Sequence, residues 1–122
     1  MTKLSIGIAV SLLFAASISH GGEAEVIDAK ASCKADRCSF EVTLKHADTG
    51  WDHYANKWQI LSDNGKILGE RILLHPHVTE QPFTRSLSHI KTPKALRQIM
   101  VRGHDSVHGF NDKIFVVELP NR

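Results

Sequence analysis

At 122 residues and 13.6 kDa, the chain has room for one domain. Hydrophobic residues make up 42% and charged residues 23%, a globular balance that excludes a disordered, collagen-like or coiled-coil chain. The formal net charge of +2, with no basic block, gives no footprint for nucleic acid. Eight histidines stand beside two cysteines and two methionines, and they are the unusual count.

The chain opens on a short positive start, Met1-Thr2-Lys3, and an apolar run over residues 4–18 (LSIGIAVSLLFAASI). The run is short for a bilayer span and fits a secretory leader. Small residues allow cleavage after Ser19, or as late as Ala24. The expected organisation is a signal peptide over 1–19 and one domain over 20–122. The product would be periplasmic or secreted, with no membrane partner after cleavage. Export implies an oxidising compartment, so Cys33 and Cys38 are expected to form a disulfide across a short loop. The rival reading, a C-x4-C metal pair, lacks a second cysteine pair.

Short strand-like runs follow, separated by turn signals. Residues 25–33 alternate, with Ile27, Ala29 and Ala31 on one side. Residues 38–45 (CSFEVTLK) put Cys38, Phe40, Val42 and Leu44 on one face. Residues 54–62 pair Trp58 with Ile60 as core, and Asn64-Gly65 turns the chain into residues 66–74. Residues 83–90, 95–102 and 113–119 complete about seven strands, with no convincing amphipathic helix. The expected fold is all-β: an immunoglobulin-like antiparallel β-sandwich, with an open barrel of the same strands as the alternative.

Strand direction gives this fold two ends. Successive antiparallel strands alternate, which brings the loops over residues 46–53, 75–81 and 103–112 to one end, beside the start of the first strand. His20, His46, His53, His75, His77, His104 and His108 all fall there; His89 alone falls part-way down a strand. Loops on a rigid sandwich are where sites are usually built. His75-Pro76-His77 presents two imidazoles on one side of an extended segment that Pro76 stiffens. Such a pair suits a divalent metal, copper(II) or zinc, with copper(I) less favoured for want of methionines and free thiols. His104 and His108 are candidates for further ligands, and His53, Asp52 or His46 for completing the site. Cleavage before His20 would add an α-amine and that imidazole to the same end, an arrangement similar in principle to the N-terminal copper site of small periplasmic copper carriers, whose other hallmarks are not present.

Two other readings stand beside the metal. The histidines can be structural, capping turns or stacking on Trp51 and Phe110. Alternatively, Trp51, Asp52, Tyr54 and Phe110 can form a contact surface for another exported protein or a glycan. Trp51 and Tyr54 can equally lean on the sandwich rim. Arg85 and Arg71 are expected to pair with Glu80, Glu70 or Asp52. Glu80 or Asp105 beside a histidine could serve as an acid–base pair, but no G-x-S-x-G, free cysteine or phosphate loop is present, so the expectation is a non-catalytic protein.

At Gly50-Trp51-Asp52-His53-Tyr54 (GWDHY), Leu73-Leu74-His75-Pro76-His77 (LLHPH), residues 80–86 (EQPFTRS) and residues 105–109 (DSVHG), the chain resembles an uncharacterised family of small exported bacterial proteins. The resemblance covers nearly all of the chain after the leader. It implies a shared single-domain fold and a shared site, and carries over no activity.

Overall fold

The computed structural model describes residues 22–122; the expected leader and His20 lie outside them. Eight strands follow in chain order: β1 (Glu25–Lys34), β2 (Arg37–Lys45), β3 (Ala55–Ser62), β4 (Ile67–Ile72), β5 (Phe83–Lys91), β6 (Gln98–Asp105), β7 (Gly109–Phe110) and β8 (Phe115–Glu118). Two antiparallel sheets face each other. One has the order β1-β2-β5; in the other β4-β3-β6 is followed by β7 and β8, both of which pair with β6. The first, second and fifth strands therefore oppose the third, fourth, sixth and last, in the manner of an immunoglobulin-like sandwich. Among the described residues no helix is long and apolar enough to cross a membrane.

The core follows from alternation. On β2, Cys38, Phe40, Val42 and Leu44 are buried, as their period of two requires. They meet Trp58 and Ile60 from β3 and Ile99 and Val101 from β6. Burying an apolar side chain of this size contributes about 1.5–3 kcal/mol, and these side chains hold the two sheets together. Cys33 and Cys38 face each other in the β1–β2 ladder and form the expected disulfide; no free thiol is left for a C-x4-C metal pair.

Three expectations are corrected. Ile27 is exposed, because a bulge between Val26 and Asp28 shifts the alternation and turns Val26 inward. The sixth strand begins later and runs further than read, through Gly103, His104 and Asp105, so those residues lie on a strand and not in a loop. Gly103, placed by the sequence at the start of a loop, is held in β6 by a close approach: a Cβ there would lie 2.8 Å from the Ala24 carbonyl oxygen. Finally, β7 is a two-residue strand inside the expected loop over residues 103–112, which brings the expected strands, about seven, to eight among the described residues.

Candidate metal centre

The strand directions do bring the loops after β2, after β4 and after β6 to one end. Hydrogen bonds lock them together there. The Tyr54 amide donates to Ser106 Oγ and the Ser106 amide to the Tyr54 carbonyl, placing His53 beside His108. The His46 amide donates to Gln81 Oε1, and Gln81 Nε2 donates to the His77 carbonyl. Asp48, buried, accepts from His46 Nδ1 and the Ala55 amide at Oδ1 and from the His77 amide at Oδ2.

At the centre of this end stand His46, His53 and Asp105, each offering a ligand atom, all within 4.8 Å of one another. The side chains of His46, Asp48 and Asp105 are fully shielded from solvent. His53 Nε2 lies 3.3 Å from Asp105 Oδ1, and His46 Nε2 lies 3.9 Å from Asp105 Oδ2. The His53 ring is edge-on to His46 at 4.8 Å and tilted against His108 at 5.0 Å. The Gly22 carbonyl oxygen reaches in from the start of the chain, 2.7 Å from His46 Nε2 and 3.1 Å from His53 Nε2.

With Nδ1 of His46 donating to Asp48, a neutral ring has only a lone pair left at Nε2. The Gly22 carbonyl oxygen opposite it can only accept, so the contact calls for a proton on Nε2 or a cation between the two atoms. Two buried carboxylates stand on either side. Burial alone would raise the Asp105 pKa, but the amides of His108 and Val107 and the His108 ring, all donating to its carboxylate, outweigh it and hold the group below its ordinary value. Asp105 thus favours its ionised form in a dry site, facing the His53 and His108 rings at 3.3 and 3.1 Å. A second-row arrangement is also in place: a carboxylate, Asp48, fixes the ring whose other nitrogen faces the centre, as it does for metal-bound histidines.

His108 stands beside this centre, while His75, His77 and His104 do not share it. His77 is buried but stacks on Phe83 at 3.8 Å, and its Nε2 accepts from Arg85, 2.9 Å away. His75 lies 4.6 Å from the His77 ring, with Nδ1 donating to the Pro76 carbonyl. The His-Pro-His pair, the sharpest local element of the sequence, thus stands apart from the buried trio, with the Arg85 guanidinium on His77 Nε2. Burial, then Arg85 and His75, hold His77 below the ordinary imidazole pKa against Glu80 and Asp48. His104 is also displaced from the cluster. Alternation on β6 turns it to the outer sheet face, where Nδ1 meets Asn56 Oδ1 at 2.6 Å and the ring lies edge-on to Phe110. Burial and Lys57 lower its pKa, with Asp105 and Glu70 opposing.

The predicted contact residues divide in the same way. Trp51 is 68% exposed and lies edge-on to Tyr54, and Asp52 is exposed beside it. Phe110 is instead half-buried under the Arg102 guanidinium, 3.9 Å from its ring centre. Arg85 pairs with Glu80 as expected, but Arg71 donates to the Ser86 carbonyl and Glu70 joins Gln59 and Lys57. Asp48, Gln81 and Gly22 went unnoticed in the sequence. The only local trace is His46-x-Asp48, whose i, i+2 spacing lets a carboxylate reach its neighbouring ring.

The three lowered pKa values act on stability in one direction. A histidine whose folded pKa lies below 6.5 favours the folded state while neutral, and this contribution fades as pH falls through 6.5 toward the folded value. Asp105 contributes while ionised and loses its part as pH drops below its ordinary value of 3.8. The chelator-treated protein should therefore melt lower at pH 5 than at pH 8, and lower again at pH 3. Replacing His104 with phenylalanine should flatten the first step, read by calorimetric melting across that range.

No family model matches the chain. A protein of Halomicrobium mukohataei described as a "Putative lipoprotein" is 43% identical over 97 residues. That match takes in 79% of this chain and 47% of the relative, so the chain spans about half the length of the curated relative it matches. Among solved structures, hypothetical protein PH1083 from Pyrococcus horikoshii OT3 is similar in fold, with a TM-score of 0.56 and 16% identity over 84% of this chain and 96% of that one.

Proposed function

We propose that this is an exported cell-envelope protein that holds one divalent metal ion, zinc or copper(II), between His46, His53 and Asp105, in a non-catalytic role as carrier or sensor. The carrying observation is the buried trio itself: two imidazole nitrogens and a carboxylate within 4.8 Å of one another, with a second buried carboxylate orienting His46. Nitrogen and oxygen donors without sulfur suit zinc or copper(II) rather than copper(I). The expected leader at residues 1–19 and the lipoprotein description of the relative support export.

Calorimetric titration of the tag-free, chelator-treated protein with zinc and with copper(II) tests this. One ion per chain should bind, more tightly at pH 7.5 than at pH 5, since ligand imidazoles must be neutral. Binding should be lost in a His46→Ala/His53→Ala variant and kept in His75→Ala. Affinity no better than millimolar, or unchanged in the double variant, would reject the proposal. The exposure of Trp51 beside His53 favours a second reading, a contact surface for another exported protein or a glycan at the same end; that reading requires no metal.

A further inference from the structure

We infer that the Gly22 carbonyl oxygen is itself a ligand of the metal, so that loading the centre fastens the N-terminal end of β1 across it. The inference rests on the metal-binding reading above and adds a ligand that no inventory of side chains contains. Metal–ligand bonds of about 2.0–2.2 Å, at angles between square and tetrahedral, separate neighbouring ligand atoms by roughly 2.8–3.6 Å. Around this centre the separations are 2.7 Å from Gly22 O to His46 Nε2, 3.1 Å from Gly22 O to His53 Nε2, and 3.3 Å from His53 Nε2 to Asp105 Oδ1. The His46–Asp105 edge is 3.9 Å. The 3.1 and 3.3 Å separations fall in this range and the 2.7 Å one just below it; the 3.9 Å edge is longer and ends on the other carboxylate oxygen, Oδ2, so the Gly22 oxygen is placed at ligand spacing from both imidazoles while Asp105 would have to move inward by a few tenths of an ångström to close the set.

The proton count points the same way. His46 Nδ1 is committed to Asp48, so His46 Nε2 and the Gly22 oxygen, 2.7 Å apart, need something positive between them: a proton on the ring or a shared cation. A metal ion in place of that proton would be bonded by both atoms. The backbone is shaped to deliver the oxygen. Gly22 has φ +99°, and a Cβ there would lie 2.8 Å from His108 Cε1, so only glycine fits without displacement. Two residues on, Ala24 is fully buried and its carbonyl accepts from Asn111 Nδ2. Gly103 makes room for that carbonyl. The segment is thus clamped just past the point where its oxygen enters the centre.

Two measurements on the full chain test this. Hydrogen exchange at the amides of residues 23–26 should slow by about tenfold or more on adding zinc, because opening of the segment would then cost a metal bond. Gly22→Ala, strained at this φ and set against His108, should weaken zinc binding by about tenfold or more, in addition to the stability it costs the chelator-treated protein. If wild-type protein binds zinc with unchanged exchange at residues 23–26, and Gly22→Ala binds within about twofold of it, the carbonyl is not a ligand and the side-chain centre stands alone. If the wild type binds neither zinc nor copper(II), the centre and the strap fall together. The exchange measurement needs no variant, so it decides the matter even if Gly22→Ala folds poorly.

Discussion

Asp105→Asn is expected to weaken metal binding by about a hundredfold or more, equivalent to roughly 2.7 kcal/mol, and to lower the melting temperature of the metal-loaded protein by about 10–20 °C. The substitution keeps volume and keeps an oxygen for the amides of Val107 and His108, which Asp105 Oδ1 now accepts. What it removes is the negative charge facing His46 and His53. If the carboxylate serves a cation, the stability difference between wild type and variant should be large with metal and small under chelator. In the metal-free chain, lost charge-assisted hydrogen bonds are partly offset by relief of a buried anion. A turn-capping role alone predicts the same difference in both conditions. Melting curves of both proteins, with and without saturating zinc, separate the two; an equal shift in both conditions would remove Asp105 from the ligand set.

Much of the architecture was readable because it depends on short-range pattern. The alternation over Cys38, Phe40, Val42 and Leu44 has one physical solution, a strand with a buried face, and β2 adopts it. Chain direction then carried the loops to a common end without any knowledge of their contents. The failures lie where a tertiary contact overrides the pattern. Ile27 reads as inward until the bulge after Val26 reverses the parity. The sixth strand reads as ending at residue 102 because the Ala24 carbonyl that fits Gly103 into it comes from far away in the chain.

The site was legible as a region and not as a constellation. His46, His53 and His108 do converge, yet the more conspicuous His-Pro-His element is drawn off by Arg85, eight residues beyond His77. Spacing within a motif says which rings can point together. It cannot say whether a guanidinium from the next strand will take their lone pairs. Asp48 and Asp52 illustrate the same limit from the other side. They sit in one loop with equal chemistry, but Asp48 is buried under three donors while Asp52 stays in water.

That contrast makes Asp48→Ala the second large effect. The change leaves the buried amides of Ala55 and His77 and the Nδ1–H of His46 without an acceptor. Each orphaned buried donor costs about 1–3 kcal/mol, so the variant should lose about 3–5 kcal/mol and melt at least about 15 °C lower. Unlike the loss at Asp105, this one should persist under chelator, because two of the three broken bonds hold loops rather than the ion. Metal affinity should also fall by about 10–100-fold, the usual consequence of freeing a ligand ring from the carboxylate that orients it. Asp52→Ala, from the same loop, should change neither quantity. Asp48→Asn refines the argument: it retains one acceptor oxygen for the backbone but meets His46 with a weaker partner. It should therefore recover part of the stability of Asp48→Ala and less of the affinity. Urea denaturation under chelator and zinc titration of the three variants read these two quantities separately. If Asp48→Asn restored affinity in full, the carboxylate would be a loop fastener alone, and the orientation of His46 would have to come from its amide contact with Gln81.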